Sequence, residues 1–166
     1  LLTEGFLGNG SEPWKIPSMK DYPEIHPPII DSCEGPYKPY HRDPETFVRK
    51  WALPGKAGLE HRVGGLEKNP DGVISSDPIN HEKMCAARAE KVARMANFIP
   101  KQEVIGADKA DVLVVGWGGT FGHLYSAVQQ MRSEGKSVAL AHFDYINPLP
   151  KNTAEVFARY KKIIVC

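Results

Sequence analysis

The chain has 166 residues, 42% hydrophobic and 25% charged, with Lys+Arg 21 against Asp+Glu 20 and a formal net charge of +1. That composition fits an ordinary globular protein, enough for one domain or parts of two, and its even charge carries no footprint for a nucleic-acid partner. No apolar stretch approaches the roughly 20 residues a membrane span requires, and Leu1 to Gly10 lacks a charged leader and apolar core, so the reading is a cytoplasmic protein with no membrane partner.

Residues 1 to about 75 are crowded with prolines, among them Pro13, Pro17, Pro23, Pro27, Pro28, Pro36, Pro39, Pro44 and Pro54. Each removes a backbone donor and fixes φ, which disfavours regular helix. Trp14, Ile16, Tyr22, Ile25, Ile29, Ile30, Tyr37, Tyr40, Phe47 and Trp51 are too many large apolar groups for a solvated linker. An extended arm laid over another surface is the expected state of this segment.

Order returns at Asp77-Pro78, an N-cap followed by a proline suited to the first helical turn. Cys85, Ala89, Val92 and Ala96 recur at helical spacing, so a helix is predicted to about Asn97. Glu82, Lys83, Arg88, Glu90, Lys91 and Arg94 form its solvated face.

The last third alternates. Asp111 to Gly116 is a continuous apolar run, as in a strand buried on both faces. Gly118-Gly119-Thr120 turns into a helix with Leu124, Ala127, Val128 and Met131 as its apolar stripe and Gly135 as its stop. Ser137 to His142 is a second strand, residues 152–160 a helix burying Ala154, Val156, Phe157 and Tyr160, and Lys162 to Cys166 a third, buried strand. The β-α-β-α-β order predicts an α/β fold, a three-layer parallel sheet with right-handed crossovers. A start at Leu1-Leu2-Thr3 without Met and an end inside a strand are expected of a piece of a longer polypeptide.

Two places could carry chemistry. Gly116, Gly118, Gly119 and Gly122 depart from GxGxxG, and neither a ribose-binding acid at the second strand's end nor a P-loop Lys is present. Gly118, Gly119 and Thr120 are the candidate anion site, and tight strand–helix packing is the competing explanation. The run from Gly58 to Lys68 gathers two carboxylates, an imidazole and a guanidinium. There Arg62 could grip a carboxylate and His61 could shuttle a proton, or the charges could pair within a turn or against another domain. Cys33, Cys85 and Cys166 are too scattered for a CxxC, which suggests reduced thiols and no metal site.

Longer strings go further. Leu7 to Pro17, Trp51 to Gly55, Gly58 to Lys68, Asp77 to His81, Val115 to Gly118 and Tyr145 to Pro150 occur in this order. In that order they resemble the alpha subunits of 2-oxoacid:ferredoxin oxidoreductases, over essentially the whole chain. The Gly58 to Lys68 string leans toward the 2-oxoglutarate branch, with the pyruvate and branched-chain enzymes as siblings. A free-standing Rossmann-like anion-binding or interaction module is the reading from outside the family. The resemblance implies oxidative decarboxylation of a 2-oxoacid to acyl-CoA with ferredoxin reduction. Thiamine diphosphate, Mg²⁺ and an iron–sulfur cluster serve the full complex, and a beta subunit, ferredoxin and CoA are the partners. It implies that residues 1–102 end the pyrimidine-type thiamine domain with the Pro-rich arm and a helix. Residues 103–166 then form most of a domain resembling the transketolase C-terminal domain. The family's substrate-gripping and cofactor-activating positions fall upstream of Leu1. No catalytic or metal-binding residue is therefore assigned here, and the isolated chain is expected to bind no cofactor and to be inactive.

Overall fold

The structure, a computed structural model, describes residues 5–11 and 15–166. Glu12, Pro13 and Trp14, part of the 7–17 string, and the Leu1-Leu2-Thr3 start lie outside the described residues. The chain divides into two compact units, one formed by residues 17–95 and the other by residues 96–166 with 1–16.

In chain order the elements begin with a short helix α1 (Gly5–Asn9). In the 17–95 unit, strand β1 (Ile29–Ile30) pairs in parallel with β2 (Trp51–Ala52), and helix α2 spans Pro78–Arg94. The rest of that unit is turns, held by backbone contacts such as Asn69 N to Val73 O at 2.8 Å and the Lys68–Ile74 bridge. Asp77 caps α2 as the sequence predicts, its Oδ1 accepting from Ile79 N at 3.0 Å. The helix ends at Arg94, and a 3₁₀ turn carries the chain over Met95–Asn97.

The buried face of α2 differs from the predicted stripe: Met84 is buried and Ala89 is exposed. The polar face is also less free than expected. Arg94 bonds Glu90 at 2.7 Å and the carbonyl of Glu45 at 2.7 Å, and its guanidinium covers the Phe47 ring at 3.9 Å. A long cationic stem thus closes over an aromatic ring that the helix's small residues cannot reach.

The 96–166 unit contains strand β3 (Val112–Trp117), helix α3 (Phe121–Ser133), strand β4 (Val138–Phe143), helix α4 (Thr153–Ala158) and strand β5 (Lys162–Val165). The three strands are parallel in the order β4-β3-β5, with Val114 level with Leu140 and Ile164. Alternate side chains feed two clusters. Leu113, Val115, Ala139, Ala141 and Phe143 pack with Val156 and Tyr160 of the α4 segment. Val114, Val138 and Leu140 pack with Val128 of α3. Period-2 alternation puts those sets on opposite faces, so the helices cover both sides of the sheet, the condition for continuous apolar strands. Gly135, at φ +79°, ends α3 with its N–H on Arg132 O and that of Lys136 on Met131 O, a Schellman closure.

Three burial expectations need correction. Within the stripe of α3, Leu124 and Val128 pack inward on β3 and β4 while Ala127 and Met131 stay exposed. In α4, Ala154 is exposed. The β5 strand is exposed along its length: it pairs with β3 only, and neither cluster includes it.

Candidate functional site

The 96–166 unit has a cleft of about 590 Å³ at the carboxyl ends of β3 and β4, the end of a parallel sheet where ligands bind. Its floor is fixed by Gln102. The backbone N–H of Gln102 donates to Asn152 Oδ1 at 2.8 Å, Asn152 Nδ2 returns a bond to Gln102 O at 3.0 Å, and Gln102 Nε2 reaches His142 O at 2.9 Å. His142, at the end of β4, stacks its edge on Phe121, and its Nε2 is buried without a hydrogen-bond partner among the described residues. Leaving such a nitrogen unpaired costs about 1–3 kcal/mol.

Gly118 borders this cleft, with φ +60°. Thr120 turns its hydroxyl back to Trp117 O at 2.8 Å. A Cβ on Gly116 would meet Leu124 Cδ1 at 2.2 Å and Thr120 Oγ1 at 2.9 Å, so this glycine lets the helix close onto the strand. Lys101 is the cation of the lining and stands with Glu103 and Asp144, a balance that does not suit a diphosphate. Among the described residues no group of three His, Cys, Asp or Glu could hold a metal ion. The residues present therefore do not fit a thiamine diphosphate–Mg²⁺ pair or an iron–sulfur cluster, and no chemical step is assigned through either.

In the 17–95 unit, His61 and Arg62 share a shallow cleft of about 230 Å³ with Tyr37, Tyr40, Arg49 and Lys50. Tyr37 donates to Lys50 O at 2.8 Å and meets the His61 ring edge-on at 5.1 Å. His61 Nδ1 lies 2.9 Å from Leu59 O, and Leu59 is the buried anchor of the loop. Arg49 sits over the Tyr40 ring at 4.6 Å. Arg62 is exposed and makes no ion pair among the described residues. Three cations, an imidazole and two phenols give this surface groups whose chemistry can receive a carboxylate or similar anion. The two carboxylates of the loop point elsewhere. Glu60 accepts from its own turn at Gly58 N, 2.8 Å, and Glu67 pairs with His81 at 2.8 Å and Arg88 at 3.0 Å on α2.

The sequence did not announce Arg49 and Lys50, which lie about a dozen residues from His61 and meet it through Tyr37, which bonds Lys50 O and packs on the His61 ring, and Tyr40, which lies under Arg49. Nor did it announce the Glu67 pairs, although His81 and Arg88 share a face of α2. The hydrogen bond from His81, then that from Arg88, holds the Glu67 carboxyl below its ordinary value. A depressed carboxyl pKa contributes stability above its unfolded value of about 4.3 and loses it as pH falls through the folded value. Acidifying through the folded value is therefore expected to release Glu67 from His81 and Arg88 and to loosen the 64–75 loop, which Asn80 still ties to α2 at Lys68 O. Two-dimensional NMR would show this as shifts of loop amides that follow the Glu67 carboxyl, and Glu67→Gln would abolish that acid step.

No protein-family model matches the chain. The subunit KorA of 2-oxoglutarate oxidoreductase from Mycobacterium tuberculosis is 42% identical over 166 residues, covering 99% of this chain and 25% of that subunit. The alpha subunit of 2-oxoacid:ferredoxin oxidoreductase 1 from Aeropyrum pernix is 30% identical over 136 residues, 80% of this chain and 21% of its own. Among solved structures, the 2-oxoglutarate:ferredoxin oxidoreductase of Magnetococcus marinus, with 2-oxoglutarate, coenzyme A and succinyl-CoA bound, matches with a TM-score of 0.77 and 31% identity. That match covers 90% of this chain and 26% of the other. The chain thus spans about a quarter of the length of these relatives. By sequence and by fold it is similar to one stretch of the 2-oxoacid:ferredoxin oxidoreductase alpha subunits along nearly its whole length.

Proposed function

We propose that the chain is part of the alpha subunit of a 2-oxoglutarate:ferredoxin oxidoreductase, serving the oxidative decarboxylation of the oxoacid to an acyl-CoA with ferredoxin reduction. The observation that carries this is the 42% identity along 99% of the chain to a 2-oxoglutarate oxidoreductase subunit. The fold match to a 2-oxoglutarate enzyme supports it. In this reading residues 1–102 close the pyrimidine-type thiamine domain and residues 103–166 belong to a transketolase C-terminal-like domain. Thiamine diphosphate, Mg²⁺ and the iron–sulfur cluster are held by the rest of the complex, with a beta subunit, ferredoxin and CoA as partners, in the cytoplasm. The chain's own contribution is scaffold and subunit interface. Exposed Ile25, Trp51, Val63, Leu66 and Phe98 support that role, since such groups gain most by being covered in an assembly. No helix among the described residues is long and apolar enough to cross a membrane.

Two site assignments belong to the same proposal. Arg62, with His61, Arg49 and Lys50, takes an anion on the substrate or interface side. The turn Gly118-Gly119-Thr120 is kept as a lesser candidate for a small anion, through its backbone N–H groups. The test is the purified complex of alpha and beta subunits, assayed for CoA- and thiamine-dependent reduction of ferredoxin with 2-oxoglutarate, pyruvate or a branched-chain oxoacid. Preference for 2-oxoglutarate is expected, and preference for pyruvate or a branched-chain oxoacid would move the assignment to that sibling. Arg62→Gln is expected to raise KM for the oxoacid, or to weaken the subunit complex, by about ten-fold, the worth of one charge-assisted bond of about 1.5 kcal/mol. An unchanged KM and unchanged subunit affinity would remove Arg62 from the site.

A further inference from the structure

One side-chain cluster lies outside both clefts. On α2, Cys85 follows His81 by four residues and precedes Arg88 by three, so one helix face carries all three. His81 Nε2 stands 3.6 Å from Cys85 Sγ, and Arg88 Nη2 is 3.1 Å from the same sulfur. Glu67 orders both neighbours: His81 Nδ1 lies 2.8 Å from its Oε1, and Arg88 Nη1 donates to its Oε2 at 3.0 Å. With Nδ1–H given to the carboxylate, His81 keeps Nε2 as its basic nitrogen, 3.6 Å from a sulfur that also lies 4.0 Å from Nδ1 and so sits beside the ring. Carboxylate, imidazole and thiol thus stand in the order that activates a sulfur nucleophile, with a guanidinium added beside the sulfur. Cys85 is half-buried while His81 and Arg88 are exposed, so the cluster lies at the surface.

We propose that Cys85 is an activated thiol that exchanges with low-molecular-weight disulfides, with His81 as proton acceptor and Arg88 as the cation that holds the thiolate. In the step, the Sγ proton passes to His81 Nε2 and the thiolate attacks one sulfur of the disulfide. The S–S bond breaks, a mixed disulfide forms on Cys85, and the other half leaves as a thiolate that takes a proton from His81 or water. Cys85 is oxidised and the reagent is reduced to one thiol, so no further oxidant is needed. The charged groups that bear on the sulfur are His81, Arg88 and Glu67, with Arg42 within electrostatic reach of Arg88. This inference does not rest on the role proposed for the whole subunit.

Cys33 supplies an internal reference. It is exposed, and its Sγ donates to Gly35 O at 3.2 Å. The experiment treats the intact protein with oxidised glutathione at pH 6.5, quenches with acid, and follows Cys33, Cys85 and Cys166 by peptide mass mapping. Cys85 is expected to be modified about ten-fold faster than Cys33 at pH 6.5. His81→Gln and Arg88→Gln, each checked for retained fold by circular dichroism, are expected to bring Cys85 down to the rate of Cys33. Equal rates at Cys85 and Cys33 in the unaltered protein would overturn the proposal without recourse to any variant. So would a Cys85 rate undiminished in both variants.

Discussion

Leu140→Ala is expected to cost about 2–5 kcal/mol, the range for truncating a fully buried Leu whose surroundings cannot collapse. Leu140 is wholly buried at the middle of β4. Its backbone is held on both edges: it lies level with Val114 of β3, and on the other side its N–H donates to Ile105 O at 2.9 Å while its carbonyl accepts from Ile105 N at 2.8 Å. A strand pinned on both sides cannot move toward α3, so the space left by the missing carbons stays open. The expected cost therefore lies in the upper half of that range, a large part of the 5–15 kcal/mol that holds a typical domain. Chemical denaturation followed by circular dichroism measures it. A loss under about 1 kcal/mol would mean that Leu140 is not sealed by Val128 and Leu124 as the structure has it. Met131→Ala, on the exposed part of the same helix, is the contrast and should stay within about 0.5 kcal/mol.

Leu140 also shows what the sequence makes legible. Residues 112–117 form an uninterrupted apolar run and residues 138–143 one broken only by His142, the pattern of parallel strands covered on both faces. The capping Asp77 and the closing Gly135 are equally local, each decided by one hydrogen-bond geometry. What failed was the neighbour of each apolar group. Met131, Ala127 and Ala154 carry the right period yet face outward, and β5 is apolar yet exposed. An apolar pattern states a demand for burial without saying which surface meets it. The clefts follow the same logic. His61 and Arg62 could be picked out as a pair because they are adjacent, whereas Arg49 and Lys50 join them through contacts with Tyr37 and Tyr40. No local period encodes that contact.

Lys68 is the least legible residue of all, and its replacement should be the most informative. In a loop rich in charge it reads as solvated, but it is 1% exposed, and its ammonium donates to Gly64 O at 2.9 Å and Leu66 O at 2.6 Å. Its own carbonyl accepts from Asn80 Nδ2 at 3.3 Å, which ties the loop to α2. Lysine is almost never buried without partners, and here the partners are the backbone of the loop that it folds. Lys68→Met keeps the stem and removes the donors, leaving two carbonyls short of a partner and costing about 1–3 kcal/mol by that route alone. The removed charge no longer needs to be desolvated, an opposing effect that keeps the net loss within this range. The loss should be local first. The loop from Gly64 to Glu67 would slacken, so amide hydrogen exchange at residues 64–75 should quicken before global unfolding is affected. The Glu67 carboxylate would then be placed less firmly against His81 and Arg88, and the mixed-disulfide rate at Cys85 should fall with it. If exchange in the loop is unchanged while stability drops, the ammonium is not what shapes this turn. If stability rises, the cost of burying the charge exceeds the worth of its two bonds.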